Sequence, residues 1–537
     1  MARILVADKI AEAGLERLRS APGVTFDVRV GLTPEQLGQE VGEYEGVLIR
    51  SGVKVTKDTL ARPGRLAAIA RAGVGVDNVD LDAATAAGVL VLNTPDANTI
   101  STAEHTVALM LALHHRVVDA HNHVTGGGWN RAAYEGDQLA GRTLGIVGLG
   151  RIGRAVAQRA LGLEMKVLAY DPFVSGQSAL NGAVSMVRTL DELFASADCI
   201  TLHATLSDET QHMIGATQIG KMKQGAKLIN CARGALIDEA ALADALNRGR
   251  LGGAAIDVYE NEPPKGSPLL TAKNVVLTPH LAASTAEAQL RVSVDAVDAL
   301  LAYLLHGEVR SAVNVTGMPA HVTGRSRAYF DLTTRMGTIL SAWSAEGVEK
   351  ITVSTFGDSL REVAPTLSWQ AMVAILGPHL DTRLNLVNAR EQAQRRGMQV
   401  EHVAHSQQLN QPEYVEVALH ARGQTRTIEG TVFPDGRPRI LSIDGYRMEL
   451  LPERYIVLIF NDDRPGVIGL VGQAFGTAQI NIADMALSRR GRTALMVLKL
   501  DEPMPDHLRD SLRAMNPPIL SLRTVSLPPV ADGAIGP

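Results

Sequence analysis

The chain has 537 residues, 46% of them hydrophobic and 20% charged, with a formal net charge of −5 and only two cysteines. That length exceeds one core and predicts three or four domains, and the mild acidity argues against a nucleic-acid binder driven by a general positive field. Cys199 and Cys231 sit in apolar, strand-like surroundings without CxxC spacing, which argues against a disulfide framework and fits a reducing cytoplasm.

The N-terminal run MARILVADKI reads as a first strand rather than a signal peptide. No segment approaches the ~20 apolar residues of a membrane span. Strand-like and helix-like stretches then alternate: ARILVAD with IAEAGLERLRS, GVLIR with a helix near Lys57–Leu60, LAAIARAG with LDAATAAG, and VLVLN closing the series. Such alternation predicts a parallel, doubly wound sheet. A long helix follows from Ser101 to His114, with Ser101 as N-cap and Glu104 completing a capping box.

A second series begins at TLGIVGLGRIGRAV and continues through KVLAYD, CITLHA, AKLINCAR, GGAAIDVY and NVVLTPH. Two doubly wound units predict two lobes with a cleft between them, and a helix over Glu287–His306 returns the chain to the first lobe. Beyond Asn314 the alternation weakens. EYVEVALHA, TRTIEGTVF and PRILSIDGYRMEL read as antiparallel strands, with a turn at Pro434-Asp435-Gly436. From Pro452 a small βαββα unit runs to a disordered tail.

Gly148-Leu149-Gly150-Arg151-Ile152-Gly153 follows a predicted strand and opens a predicted helix. Gly148 permits the tight turn, Gly150 admits a pyrophosphate and Gly153 lets helix and strand pack closely. The helix N-terminus adds free N–H groups for phosphate. Asp171 ends the next strand, where a carboxylate takes the ribose hydroxyls and repels a 2′-phosphate, which favours NAD over NADP.

Three polar segments end strands of the second lobe: Asn230-Cys231-Ala232-Arg233-Gly234, Asn261-Glu262-Pro263-Pro264 and Thr278-Pro279-His280 through Thr285. Ligand crevices lie at the carboxyl ends of parallel strands, so Arg233, Glu262 and His280 are expected to converge. Oxidising an alcohol carbon needs a base for the hydroxyl proton, a carboxylate to orient that base, and a cation for the acid group. The pairs His114-His115 and His121/His123 lack companion acids or cysteines at ligand spacing, so no metal is predicted.

NCARG, NEPP and PHLAAST, together with GLGRIG and YDP, resemble the D-isomer-specific 2-hydroxyacid dehydrogenase family over roughly residues 1–315. The resemblance implies that Arg233 binds substrate, Glu262 raises the basicity of its partner and His280 exchanges the proton. It also implies that Asp257 lies beside the nicotinamide, and that Val74, Ala204, Cys231, Ala232 and the segment His280–Ala283 line the cofactor. The segments IRSGVKV, RAGVGVDNVD and NTPDANTISTAEHT are similar to those of phosphoglycerate dehydrogenases. This implies 3-phosphoglycerate as substrate, with Arg50, Ser51, Arg71, Gly73 and Asn98 as contacts and Arg131 as a weaker one. Other 2-keto acid reductases and a non-catalytic dinucleotide sensor stand as alternatives.

Asp463-Arg464-Pro465-Gly466 with a following helix and Ile480-Asn481-Ile482 resembles an ACT ligand-sensing module. There the resemblance implies a serine effector held by Asn461, Asp463 and Asn481 across paired modules. It also implies a homo-oligomer, taken as a tetramer, and Trp129 is a candidate interface anchor. The expected architecture is α/β: two Rossmann-like lobes, an α+β intervening domain and a βαββαβ ACT-like domain. Its divisions fall at 1–98 with 285–314, 99–284, 315–451 and 452–528, with a tail over 529–537.

Overall fold

The computed structural model describes residues 1–174, 178–315, 324–343, 347–380, 383–406, 412–514 and 519–530. Strands β1 (Ala2–Val6), β2 (Val24–Val28), β3 (Gly46–Ile49), β4 (Ala68–Arg71) and β5 (Leu90–Leu92) form a wholly parallel sheet in the order β2-β1-β3-β4-β5. Alternate residues face opposite sides. Ile4 and Val6 share one core with Val292, Val297 and Leu300 of the helix Ala286–His306, while Leu5 and Ala7 join another with Leu37, Val47 and Ile49. Each such fully buried aliphatic side chain contributes roughly 1.5–3 kcal/mol. This anchors the returning helix on the first lobe, as its sequence predicted.

The second lobe carries β6 (Thr143–Val147), β7 (Lys166–Tyr170), β8 (Ser178–Ala179), β9 (Val184–Met186), β10 (Cys199–Leu202), β11 (Lys227–Asn230), β12 (Gly253–Ile256) and β13 (Val275–Leu277). Their order is β13-β12-β11-β10-β6-β7-β9-β8, parallel except for the β8–β9 pair. The chain reverses direction across the sheet between β6 and β10, and in the first lobe between β1 and β3. Crevices open at such switch points.

Two local expectations fail. Lys57–Leu60 is a hydrogen-bonded turn, closed by Thr56 and Thr59, not a helix. The long helix spans Thr99–His114 with Asn98 at its N-cap position, so Ser101 lies inside it and makes no capping box. The Ser101 hydroxyl instead meets that of Thr285 at 2.7 Å, and Glu104 pairs with Arg159. A tertiary contact between the two inter-lobe crossings has taken the residues that local pattern assigned to capping.

A six-stranded sheet follows, from β14 (Val348–Phe356), β15 (Gln399–His405), β16 (Tyr414–Ala421), β17 (Gln424–Val432), β18 (Pro438–Ile443) and β19 (Tyr446–Leu450), covered by helices Gly324–Ser341 and Ala364–Leu376. The last sheet is β21 (Ile482–Arg490), β22 (Thr493–Leu500), β20 (Arg454–Asp462) and β23 (Ile519–Leu527), in that order. With helices Val467–Thr477 and Asp506–Arg513 it makes the βαββαβ unit. Buried Arg335 joins the two units, donating to the carbonyls of Pro452 (2.8 Å) and Pro528 (2.6 Å). Most of the predicted tail, from residue 531, lies outside the described residues. No helix among them is long and apolar enough to cross a membrane, and no group of three His, Cys, Asp or Glu is placed to hold a metal ion.

His114, 1% exposed at the end of its helix, accepts from Lys227 Nζ at 3.4 Å. Burial, reinforced by the Lys227 cation, lowers its pKa from 6.5 to about 4. The unfolded chain therefore takes up a proton below pH 6.5 that the fold refuses, so this contribution is complete above pH 6.5 and shrinks as pH falls toward 4. At pH 5 it is smaller by about 2 kcal/mol than at pH 7. Unfolding free energies at both pH values for wild type and His114→Leu check this: the pH-dependent loss should be smaller in the variant by that amount, and equal losses contradict it.

Candidate active site

The glycine loop after β6 sits at the second lobe's switch point. Gly148 has φ +93, and a Cβ there would lie 2.7 Å from the carbonyl of His203, just beyond β10. A Cβ on Gly153 would collide with the Gly148 carbonyl oxygen. Gly150 is different: it is the N-cap residue of helix Arg151–Gly162, and nothing lies within 4 Å of where its Cβ would stand. Two glycines thus close the backbone and the third leaves it open toward solvent. Asp171 Oδ2 accepts from Leu149 N at 2.8 Å and its Oδ1 from Phe173 N at 2.9 Å, which fixes a carboxylate beside the loop. Ile152 packs into the core beneath, and Arg151 reaches Asp96 of the facing lobe in an ion pair. A free helix N-terminus, open at Gly150 and flanked by a fixed carboxylate, fits a dinucleotide.

Glu262 and His280 meet as their segments predicted. His280 Nδ1 lies 2.8 Å from Glu262 Oε2, and Tyr259 N donates to the other carboxylate oxygen at 3.2 Å. The imidazole is half-exposed, with Nε2 free of partners among the described residues. Residue 280 adopts φ +56, held by its N–H donating to the Asp257 carbonyl at 2.8 Å.

Asp257 is an anchor of the second lobe. It is fully buried, and its carboxylate accepts from Thr278 Oγ1 (2.6 Å), Leu281 N (2.7 Å) and Ala282 N (2.9 Å), with His105 Nε2 at 3.2 Å. Burial pushes its pKa up, but these hydrogen bonds outweigh it and hold the group below the usual carboxylate range. Asp257 therefore clamps the segment carrying His280. His105, on the long helix, completes the clamp, and nothing in the sequence marked it.

Arg233 crosses the cleft. Its Nε lies 3.1 Å from Asp77 Oδ2 of the first lobe, and its Nη1 donates to the Ala232 carbonyl at 2.7 Å. Burial lowers the basicity of Arg71, and the Arg233 and Arg50 cations push the same way against Asp77 and Asp8. Three guanidinium groups thus crowd one region. Asp8 Oδ2, at the first lobe's switch point, accepts from Arg50 N (3.2 Å) and Gly52 N (2.9 Å). Gly73, at φ +148, leaves the space that the Arg71 guanidinium fills. Ser51 is exposed beside Arg50, the Val74 carbonyl accepts from Asn93 at 2.7 Å, and buried Asn98 Oδ1 has no partner.

The remaining predicted residues divide. Ala204 follows β10 at the loop, and Ala283 follows the His280 segment. Cys231 is buried in the core, which pushes its thiol up to about 12 and leaves it inert. Arg131 stands on a separate exposed segment with Trp129, and among the described residues no hydrogen bond or ion pair joins it to the cleft. In the C-terminal unit Asn461 is buried with Oδ1 unpartnered, and Asp463 pairs with Arg489 at 3.4 Å. Asn481 precedes Ile482, which pairs with Leu500 and so lies at the Tyr455 end of the sheet, whereas Asn461 pairs with Ala494 at the other end. One chain alone does not bring the three together.

A dinucleotide loop at the second lobe's switch point, with a Glu–His pair and an arginine at other strand ends of the same lobe and the arginine reaching across to the first, defines an NAD-dependent dehydrogenase of 2-hydroxy acids. Family models match in three stretches: D-isomer specific 2-hydroxyacid dehydrogenase, NAD binding domain, over 107–282; D-3-phosphoglycerate dehydrogenase intervening domain over 325–444; and ACT domain over 455–516. The chain is 38% identical to the D-3-phosphoglycerate dehydrogenase of Synechocystis sp. over 512 residues, 95% of this chain and 92% of that one. It is 37% identical to that of Bacillus subtilis over 530 residues, 98% of this chain and all of the other. The chain belongs to the D-3-phosphoglycerate dehydrogenase family. Among solved structures, a glyoxylate reductase from Paecilomyes thermophila matches with TM-score 0.54 and 31% identity, covering 58% of this chain and 98% of that one. The D-lactate dehydrogenase of Escherichia coli matches with TM-score 0.51 and 30% identity, covering 58% and 99%.

Proposed function

We propose that this enzyme oxidises 3-phospho-D-glycerate to 3-phosphohydroxypyruvate in the cytoplasm, the entry step to L-serine. The observation that carries the reading is the packing of Arg71 and Arg233 against Gly73 and Gly75 of one loop, with Arg50 near enough to Arg71 to act on its charge. Three cations suit a substrate bearing both a carboxylate and a phosphate, whereas a simple hydroxy acid needs one. Arg233 holds the carboxylate, leaving Arg50 and Arg71 to the phosphate. His280 Nε2 takes the hydroxyl proton, with Glu262 fixing the ring through Nδ1. NAD, when bound, accepts the hydride from C2. On this reading residues 1–98 with 285–314 bind substrate, 99–284 bind NAD, 315–451 intervene and 452–528 sense an effector.

The effector is serine, held by Asn461 and Asp463 of one subunit and Asn481 of another, which requires an oligomer. The unpartnered Asn461 oxygen and the separation of Asn481 along the sheet support a shared site. NADH formation from 3-phosphoglycerate, glycerate and lactate, with and without serine, tests the reading. Arg50→Ala should raise KM for 3-phosphoglycerate about 10- to 100-fold, the worth of a charge-assisted hydrogen bond. An unchanged KM sinks the phosphate assignment.

A further inference from the structure

Gln289 stands in the first turn of the helix that returns to the first lobe, outside every motif used so far. Its side-chain amide makes two contacts in opposite directions. Oε1 accepts from Arg50 Nη2, and Nε2 donates to the Ala283 carbonyl at 2.7 Å. An arginine only donates and a carbonyl only accepts, so both contacts are met by an amide and by neither a carboxylate nor a hydrocarbon.

The two ends of that amide belong to different bodies. The helix is fixed to the first lobe: the Ser293 hydroxyl donates to the Gln289 carbonyl at 2.8 Å and accepts from Ala11 N at 3.0 Å. Ala283 continues the segment that Asp257 clamps through Leu281 and Ala282, and which carries His280. Arg50 has few other ties, with Nη1 on the Lys9 carbonyl at 3.2 Å and Nε buried without a partner. The amide therefore lies where movement of one lobe against the other is felt by both Arg50 and the His280 segment.

We infer that Gln289 is a positioning residue that couples the substrate-side arginine Arg50 to the segment carrying the proton acceptor. The inference rests on the reading of Arg50 as a substrate contact. One end of the amide holds Arg50 in place for the anion, and the other holds Ala283 and so the placing of His280.

Steady-state kinetics with 3-phosphoglycerate on Gln289→Leu, Arg50→Ala and the double variant test it. Arg50→Ala should raise KM alone. Gln289→Leu should raise KM and lower kcat, each about tenfold, the scale of losing one hydrogen bond to a charged group and freeing one segment. In the double variant KM should be no higher than in Arg50→Ala, while kcat stays as low as in Gln289→Leu. A merely structural glutamine would shift the thermal midpoint without this split. Multiplying KM effects, or a Gln289→Leu enzyme within twofold of wild type in both parameters, overturn the coupling. A normal KM in Arg50→Ala instead fails the substrate reading, so the two failures are distinct. Should Gln289→Leu not fold, Gln289→Asn keeps the amide one methylene short and should give the same split at smaller size.

Discussion

Replacing His280 by Asn should lower kcat by about 10²–10⁴-fold, the usual worth of a positioned proton acceptor. Asparagine is the informative choice because residue 280 sits at φ +56, a region that Asn tolerates far better than branched or bulky residues. The backbone N–H bond to the Asp257 carbonyl then survives, and with it the clamp on Leu281 and Ala282. NAD affinity, read by quenching of protein fluorescence, should stay within about threefold, since the glycine loop and Asp171 that seat the dinucleotide are unchanged. Retention of more than a tenth of wild-type kcat would remove His280 from the role given to it. Glu262→Gln keeps a hydrogen-bonding group beside Nδ1 but loses the charge that steadies a protonated ring. Its kcat should fall less far, by roughly 10- to 100-fold.

What the sequence disclosed about this site follows a physical division. Gly148, Gly150, Gly153 and Asp171 were legible because their roles are local: a strand, a turn, a helix start and the next strand end fix them within one βαβ unit. Glu262 and His280 were legible because strand ends in a parallel sheet share one edge. Asp77, Gln289 and His105 were not, since each acts on a residue far away in the chain and only the packing of lobes or helices brings them together. Their residue types carry no signal, for an Asp, a Gln and a His on exposed-looking stretches are ordinary.

Asp257 shows what a motif alone leaves out. Its position in the motif was readable, but its burial was not, and burial with its hydrogen bonds makes it the anchor of a loop. The misplaced capping box has the same origin. Ser101 and Glu104 have the right spacing for a cap, yet partners at Thr285 and Arg159 lie beyond any local window. The edge strand Val24–Val28 escaped notice because it is nowhere fully buried and carries Asp27, which pairs with Arg3. Periodicity detects burial, and an edge strand offers little of it.

Alanine at Gly153 and at Gly150 should separate folding from cofactor binding. At position 153 the added methyl meets the Gly148 carbonyl oxygen, a backbone atom within the turn itself. The helix must then retreat from β6, an overpacking cost of about 1–3 kcal/mol. Since the retreat also displaces the helix N-terminus, NAD affinity should fall about 100-fold, as the phosphate seat depends on that placement. At position 150 the backbone already lies at φ −70, which alanine adopts freely, and the methyl has nothing within 4 Å to strike. Stability should therefore stay within about 0.5 kcal/mol, the range of a neutral surface change. NAD affinity should nevertheless fall about as far, because the methyl occupies the space left for the pyrophosphate. Calorimetric NAD binding beside urea unfolding of both variants decides the matter. If Gly150→Ala binds NAD normally, the open face at Gly150 is not the dinucleotide seat; if Gly153→Ala is as stable as wild type, close packing is not what its glycine provides.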